Sequence, residues 1–80
     1  MPRLLTDRQA DVLRLLCAGV SPAQAGQELG ITRKGVDSHL HAIRKRLGVS
    51  PLPELCRRGA REVAAASERV VRRSARSDAQ

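Results

Sequence analysis

The sequence contains no Trp, Tyr or Phe. Proteins that bind single-stranded nucleic acid commonly stack the bases on aromatic rings, so this absence argues against that class. The core must be built from Leu, Val, Ile and Ala, which suits short helices packed closely. A chain of 80 residues has room for one small domain, and none for a catalytic cleft between two lobes.

Acidic residues are outnumbered by basic ones, with 8 Asp and Glu against 15 Lys and Arg and a formal net charge of +7. This excess favours a polyanionic partner, and without aromatic residues duplex DNA is the better candidate. The sequence shows no nucleophile beside a base, no phosphate-binding loop and no metal-ligand cluster, so we predict no enzyme activity, no catalytic residue, no metal and no cofactor. It shows no signal peptide or membrane span, and we expect a cytoplasmic, nucleoid-associated protein.

Cysteine is also scarce, with Cys17 and Cys56 far apart in the sequence. Each lies among apolar neighbours, as free buried thiols commonly do, and we expect both to be free thiols in the core. A disulfide or a redox switch is the alternative. A metal site is not expected, because neither cysteine has a second ligand at C-x-x-C spacing.

Local signals divide the chain into four predicted helices. Thr6 and Gln9 form a capping box, so the first helix begins near Asp7 and ends near Ala18, where Gly19 follows.

The second helix begins at Ser21-Pro22, with Gln24 as the capping partner, and ends at Gly30. Thr32 caps the third helix and Gly48 closes it. Its apolar residues recur at helical spacing and predict one buried stripe: Val36, Leu40, Ile43 and Leu47.

A fourth helix is predicted from Ser50 or Leu52, with Gly59 weakening its middle by roughly 1 kcal/mol relative to Ala. Its apolar face contains Leu52, Leu55, Cys56, Ala60 and Val63. We predict a domain at residues 1–66 and, at 67–80, a basic helical extension or a disordered tail. The arginines of this segment belong either to a frayed extension of helix four or to a flexible basic arm: Arg69, Arg72, Arg73 and Arg76.

The second and third helices are joined by Leu29-Gly30-Ile31-Thr32, which is the outline of a helix-turn-helix. The small residues Ala25 and Gly26 let the second helix approach the third closely. The third helix would then project its polar face outward, and the major groove is wide enough to accept one helix. We therefore predict a recognition helix over about Arg33 to Arg46.

The charges of this helix are placed near its two ends. Between residues 33 and 46 there are five cationic side chains and one carboxylate, a net charge of +4. Such ends would lie against the phosphates that border a groove, while the middle of the helix faces the base edges: Asp37, Ser38, His41 and Ala42.

These motifs resemble the LuxR-type (GerE-like) helix-turn-helix domain of bacterial transcription regulators over about Leu4 to Val63. The residues that carry the resemblance are Leu5-Thr6-Asp7-Arg8-Gln9, Val12-Leu13-Arg14-Leu15-Leu16, Gly19-Val20-Ser21, Leu29-Gly30-Ile31-Thr32, Val36, His39, Ile43 and Lys45-Arg46-Leu47-Gly48-Val49. Gln9, Ala25-Gly26 and Gly35 stand where the family usually has Glu, Ile-Ala and Thr. Gly35 thereby lowers helix stability and removes a hydroxyl that would contact phosphate.

The resemblance implies an all-α domain of four helices, with the second and third forming the helix-turn-helix. It implies base-facing residues at Asp37, Ser38 and His41 and phosphate contacts at Thr32, Arg33, Lys34, Arg44 and Lys45. It also implies a homodimer through helix four, and the small core points the same way. The predicted dimer contacts are Leu52, Leu55, Cys56, Gly59 and Val63.

Two polar side chains of the recognition helix have more than one interpretation. Asp37 could accept a hydrogen bond from cytosine N4, or it could complement the helix dipole. His39 and His41 are two residues apart and so lie on different faces, which makes a shared metal site improbable. We expect His39 to pack against neighbouring helices and His41 to face DNA.

Two other functions fit parts of the pattern. The segment from Val36 to Leu47 also resembles the recognition helix of sigma-factor region 4, which binds promoter DNA together with RNA polymerase; the helix after Gly48 favours the LuxR-type domain, with RNA polymerase as a further candidate partner. Alternatively, helix four and the arginine-rich tail could bind an acidic protein. The salt dependence of duplex binding would separate DNA binding from this protein-interaction alternative.

Overall fold

The computed structural model describes residues 4–78, with side chains up to residue 70. The helices within this range are α1 (Asp7–Cys17), α2 (Pro22–Leu29), α3 (Arg33–Leu47), α4 (Leu52–Arg58) and α5 (Ala60–Asp78), and it contains no strand. The all-α prediction is confirmed. The predicted fourth helix is divided at Gly59 into α4 and α5.

Local capping sets where the first three helices begin. The Thr6 hydroxyl accepts a hydrogen bond from the Gln9 amide at 3.2 Å, and the Gln9 side chain accepts one from the Thr6 amide at 3.0 Å. This confirms the predicted capping box. At α2 the Ser21 hydroxyl caps the Gln24 amide, but the Gln24 side chain accepts from that hydroxyl instead of returning to the Ser21 amide.

Helix α1 is the centre of the fold, because it packs against each of the other four described helices. Its apolar side chains are buried, and Val12 and Leu13 have no exposed surface. The core is completed from the other helices by Ala25, Val36, Ile43, Leu47, Leu55 and Ala66. Among the described helices, α2 packs only against α1 and α3, which leaves the outer faces of α2 and α3 open to solvent.

Helix α5 continues past residue 66 and is attached to α1 there. The Arg69 guanidinium lies 3.2 Å from the Asp11 carboxylate and 3.6 Å from that of Asp7. These ion pairs join α5 to α1, so Arg69 belongs to the packed domain and not to a free basic arm. The side chains of Arg72, Arg73 and Arg76, predicted in the same arm, lie outside the described residues.

Candidate nucleic-acid interface

The turn between α2 and α3 is tight because two glycines permit it. Gly30 ends α2 with a φ of 70°, in the left-handed region that favours glycine. Gly26 is buried, and a Cβ atom there would lie only 2.8 Å from the carbonyl oxygen of Ile31. The predicted close approach at Gly26 is therefore an approach of backbone to backbone.

Thr32 begins the next helix. Its hydroxyl oxygen accepts a hydrogen bond from the Gly35 amide at 3.0 Å, as predicted for an N-cap residue. The hydroxyl hydrogen takes no part in that bond and can still be donated outward, because Thr32 is exposed.

Helix α3 is amphipathic. Val36, Ile43 and Leu47 face the core, and Gly48 ends the helix with a φ of 74°. The opposite face is open, and all eight side chains predicted to contact DNA are exposed on it or at its start: Thr32, Arg33, Lys34, Asp37, Ser38, His41, Arg44 and Lys45. The structure thus places the predicted residues together on one accessible surface, which we call the α3 face.

The cations of the α3 face differ in whether they have a bonding partner within the protein. Arg44 donates through Nε to the carbonyl oxygen of Ser50 at 3.1 Å, which leaves the end of its guanidinium group outside that bond. Among the side chains of residues 4–70, none forms an ion pair with Arg33, Lys34 or Lys45. These three positive charges are therefore not neutralised within the described part of the protein.

Asp37 lies on the same face as these cations. It is exposed and lies beyond the first turn of α3, which contains no acidic residue. The interaction of a charge with the helix dipole falls off within the first turn, so the position of Asp37 disfavours that interpretation.

The two histidines differ in exposure, since His39 is half-buried and His41 is exposed. This agrees with the expected packing of His39. No group of three or more His, Cys, Asp or Glu side chains with the arrangement of a metal site occurs among the described residues.

Comparison with known proteins identifies the domain. The sequence model of the luxR family of bacterial regulatory proteins (GerE) matches residues 3–58, which covers α1 to α4. The chain belongs to the LuxR family. It is therefore a helix-turn-helix DNA-binding domain of a bacterial transcription regulator. No curated protein and no solved structure matches the chain significantly.

The LuxR domain does not present the predicted dimer contacts as one surface. Leu55 has no exposed surface and belongs to the core, and Gly59 is buried next to Leu13 of α1. Val63 also packs against the core, and Cys56 is bonded to Cys17. Of the predicted set, Leu52 alone is classed as exposed. The amphipathic pattern of helix four thus marks its inner side.

The expectation of two free thiols is wrong, since Cys17 and Cys56 form a disulfide between α1 and α4. Cys17 packs against the core and both cysteines are half-buried, but sequence patterns did not show that the two positions meet. The separation of 39 residues carries no local signal of pairing.

Three arginines that hold the LuxR domain in position were not predicted as such. Arg46 donates through Nε to the carbonyl oxygen of Leu4 at 3.0 Å, and Arg8 reaches that of Leu29 at 3.4 Å. With the Arg44 bond, they attach the ends of α2 and α3 to neighbouring segments. The cationic count of α3 predicted solvent-exposed charge but could not show which arginines have backbone partners.

No helix in residues 4–78 is long and apolar enough to cross a membrane.

Proposed function

We propose that this LuxR domain binds duplex DNA in a sequence-specific manner with α3 in the major groove. The observation that supports this most strongly is the exposure of all eight candidate contacts on the α3 face. The helix has 15 residues, a length of about 22 Å at 1.5 Å per residue. That is long enough for cations at both ends to reach phosphates on the two borders of a groove about 12 Å wide.

Different parts of the α3 face have different roles in this proposal. Thr32, Arg33, Lys34, Arg44 and Lys45 contact phosphates and fix the position of the helix on DNA. Ser38 and His41 contact base edges, and Asp37 accepts a hydrogen bond from cytosine N4. The domain acts as a transcriptional regulator in the cytoplasm, at the nucleoid.

The test begins with selection of duplexes from a random pool by the purified chain, followed by measurement of Kd over a range of salt concentrations. We expect log affinity to fall linearly with log salt, at about −0.9 per phosphate neutralised. Failure to bind any duplex at low salt would overturn the proposal and favour a protein-interaction module.

Three substitutions separate the proposed roles. Lys45→Ala should weaken all duplexes alike and reduce the salt slope by about one, because it removes one phosphate contact. Ser38→Ala and His41→Ala should instead change which sequences are selected. Arg57→Ala is the matched control, since Arg57 is a well-exposed cation on α4 and its partner is Glu54. An equal effect of Arg57→Ala and Lys45→Ala would contradict the assignment to α3.

The proposal includes a homodimer that binds two half-sites. Leu52 is exposed on α4 and is one of two large apolar side chains exposed among residues 4–70. The small core of the monomer also favours burial of further apolar surface between two copies. Sedimentation of the purified chain, free and with a two-half-site duplex, tests this part.

A further inference from the structure

The bond between Cys17 and Cys56 closes a loop of the chain that contains the helix-turn-helix. Cys17 is the last residue of α1 and Cys56 lies within α4, with their Cα atoms 5.9 Å apart. This distance is well within the range that a disulfide spans without movement of the backbone. The closed loop from residue 17 to residue 56 contains α2, the turn and α3.

The cellular location of a DNA-binding protein makes this bond unusual. Our proposed function, on which this step rests, places the domain in the cytoplasm, where thiols are generally kept reduced. Disulfides that form there in mesophilic organisms are usually transient, catalytic or redox-sensing. We propose that Cys17 and Cys56 form a reversible redox centre, and that its oxidation state sets the stability of the helix-turn-helix.

The surroundings of the two sulfur atoms permit exchange. Both cysteines are half-buried and not sealed in the core. Access to the sulfur atoms is one of the conditions that set the rate of thiol–disulfide exchange.

The reaction is thiol–disulfide exchange with a dithiol reductant. One reductant thiolate attacks a sulfur of the Cys17–Cys56 bond, forms a mixed disulfide and releases the other cysteine as a thiolate, which takes a proton. The second reductant thiol then displaces the first cysteine. Two electrons and two protons pass to the protein, and the reductant leaves as its own disulfide. Oxidation by a glutathione disulfide reverses the sequence, with release of two glutathione thiols.

The bond matters because α4 is a short helix with one buried side chain. Leu55 is the buried side chain of this seven-residue helix, and no side chain caps its first turn. Reduction opens the loop and restores conformational freedom to the unfolded chain, so the folded state becomes less favoured. The fraction of molecules that can bind a ligand specific for the folded domain then falls, and the apparent affinity falls with it.

The first experiment titrates the purified chain in glutathione buffers of increasing reduced-to-oxidised ratio, with alkylation of free thiols and mass spectrometry as the readout. We expect an intramolecular disulfide that converts fully to two free thiols within the titration. A chain that stays oxidised in excess reduced glutathione, or that never forms the bond, overturns the proposal.

The second experiment measures thermal unfolding by circular dichroism with and without dithiothreitol. Reduction should lower Tm by about 10 °C or more, given the size of the closed loop. The double variant Cys17→Ala, Cys56→Ala is the control and should not respond to dithiothreitol. An unchanged Tm for the parent chain overturns the proposal without reliance on any variant.

Duplex binding is measured separately so that the two proposals can fail independently. Between the oxidised and reduced melting temperatures, reduction should weaken binding at least tenfold. If Tm responds to reduction but no duplex binds in either state, the redox centre stands and DNA binding through α3 is wrong. If duplexes bind equally well in both states at that temperature, control of binding by the disulfide is wrong.

Discussion

Gly35 is a residue at which the structure leaves room for a side chain. It lies in the first turn of α3, and a Cβ atom there would be 3.5 Å from the Thr32 hydroxyl oxygen and 3.6 Å from Ile31 Cβ. Both are ordinary contacts. Gly35→Ala should therefore raise the free energy of unfolding by roughly 0.5–1 kcal/mol, because alanine loses less backbone entropy in a helix. Urea denaturation monitored by circular dichroism measures the change, and a destabilised variant would contradict it.

Gly26, in contrast to Gly35, is a position at which the structure leaves no room for a side chain. A Cβ atom there would approach the Ile31 carbonyl oxygen to 2.8 Å, and that oxygen belongs to the backbone of the turn. Gly26→Ala should therefore destabilise the protein by about 1–3 kcal/mol, since the turn must shift to accept the methyl group. Denaturation under the same conditions as for Gly35→Ala gives a matched comparison. Equal effects of the two substitutions would show that helix propensity alone decides both positions.

Among the elements, the junction of α4 and α5 depends on Gly59. The Gly59 Cα lies against the core, and a Cβ atom there would be 3.1 Å from the Leu55 carbonyl oxygen and would overlap the side chain of the fully buried Leu13. Helix propensity predicts that Gly59→Ala stabilises the chain by roughly 1 kcal/mol. Overpacking against Leu13 predicts a loss of about 1–3 kcal/mol instead, and we expect this loss. A rise in Tm on scanning calorimetry would show that Leu13 moves aside at little cost.

Three consecutive basic residues of α3 differ in their partners. Arg44 and Arg46 both donate to backbone carbonyl oxygens of neighbouring segments, whereas Lys45 between them has no ion-pair partner in the described part of the chain. Lys45 is therefore the clearest probe of phosphate contact, since its replacement removes charge without removing a backbone bond.

At the scale of the whole molecule, dimerisation must be tested at a residue that does not belong to the core of the monomer. Leu55→Asp should unfold the chain, because a carboxylate would enter a core position with no exposed surface. Leu52→Asp should keep the helical circular dichroism spectrum, since Leu52 is 36% exposed. If helix α4 forms the proposed homodimer, Leu52→Asp should also sediment as a monomer. A folded Leu55→Asp variant would mean that the core placement of Leu55 is wrong, and equal sedimentation of Leu52→Asp and parent would remove Leu52 from the dimer contact.

The sequence by itself determined where the first three helices begin and end and which side of α3 is polar. Thr6, Ser21 and Thr32 cap helices through residues three positions away, and Gly30 and Gly48 end them through their own φ angles. Such signals are local, so they can be recognised without knowledge of the fold. The exposed position of the candidate DNA contacts followed from the same periodicity.

Only the tertiary structure decided which way the last helices face and which distant residues meet. The burial of Leu55 and Gly59, the ion pairs of Arg69 and the bond between Cys17 and Cys56 all join parts of the chain far apart in sequence. An apolar stripe shows that a helix has something to bury, but it is equally compatible with a core and with a second copy of the chain. The packing of the helices around α1 decides between the core and a second copy. Which helices meet depends on the course of the whole chain between them, which local sequence signals do not specify.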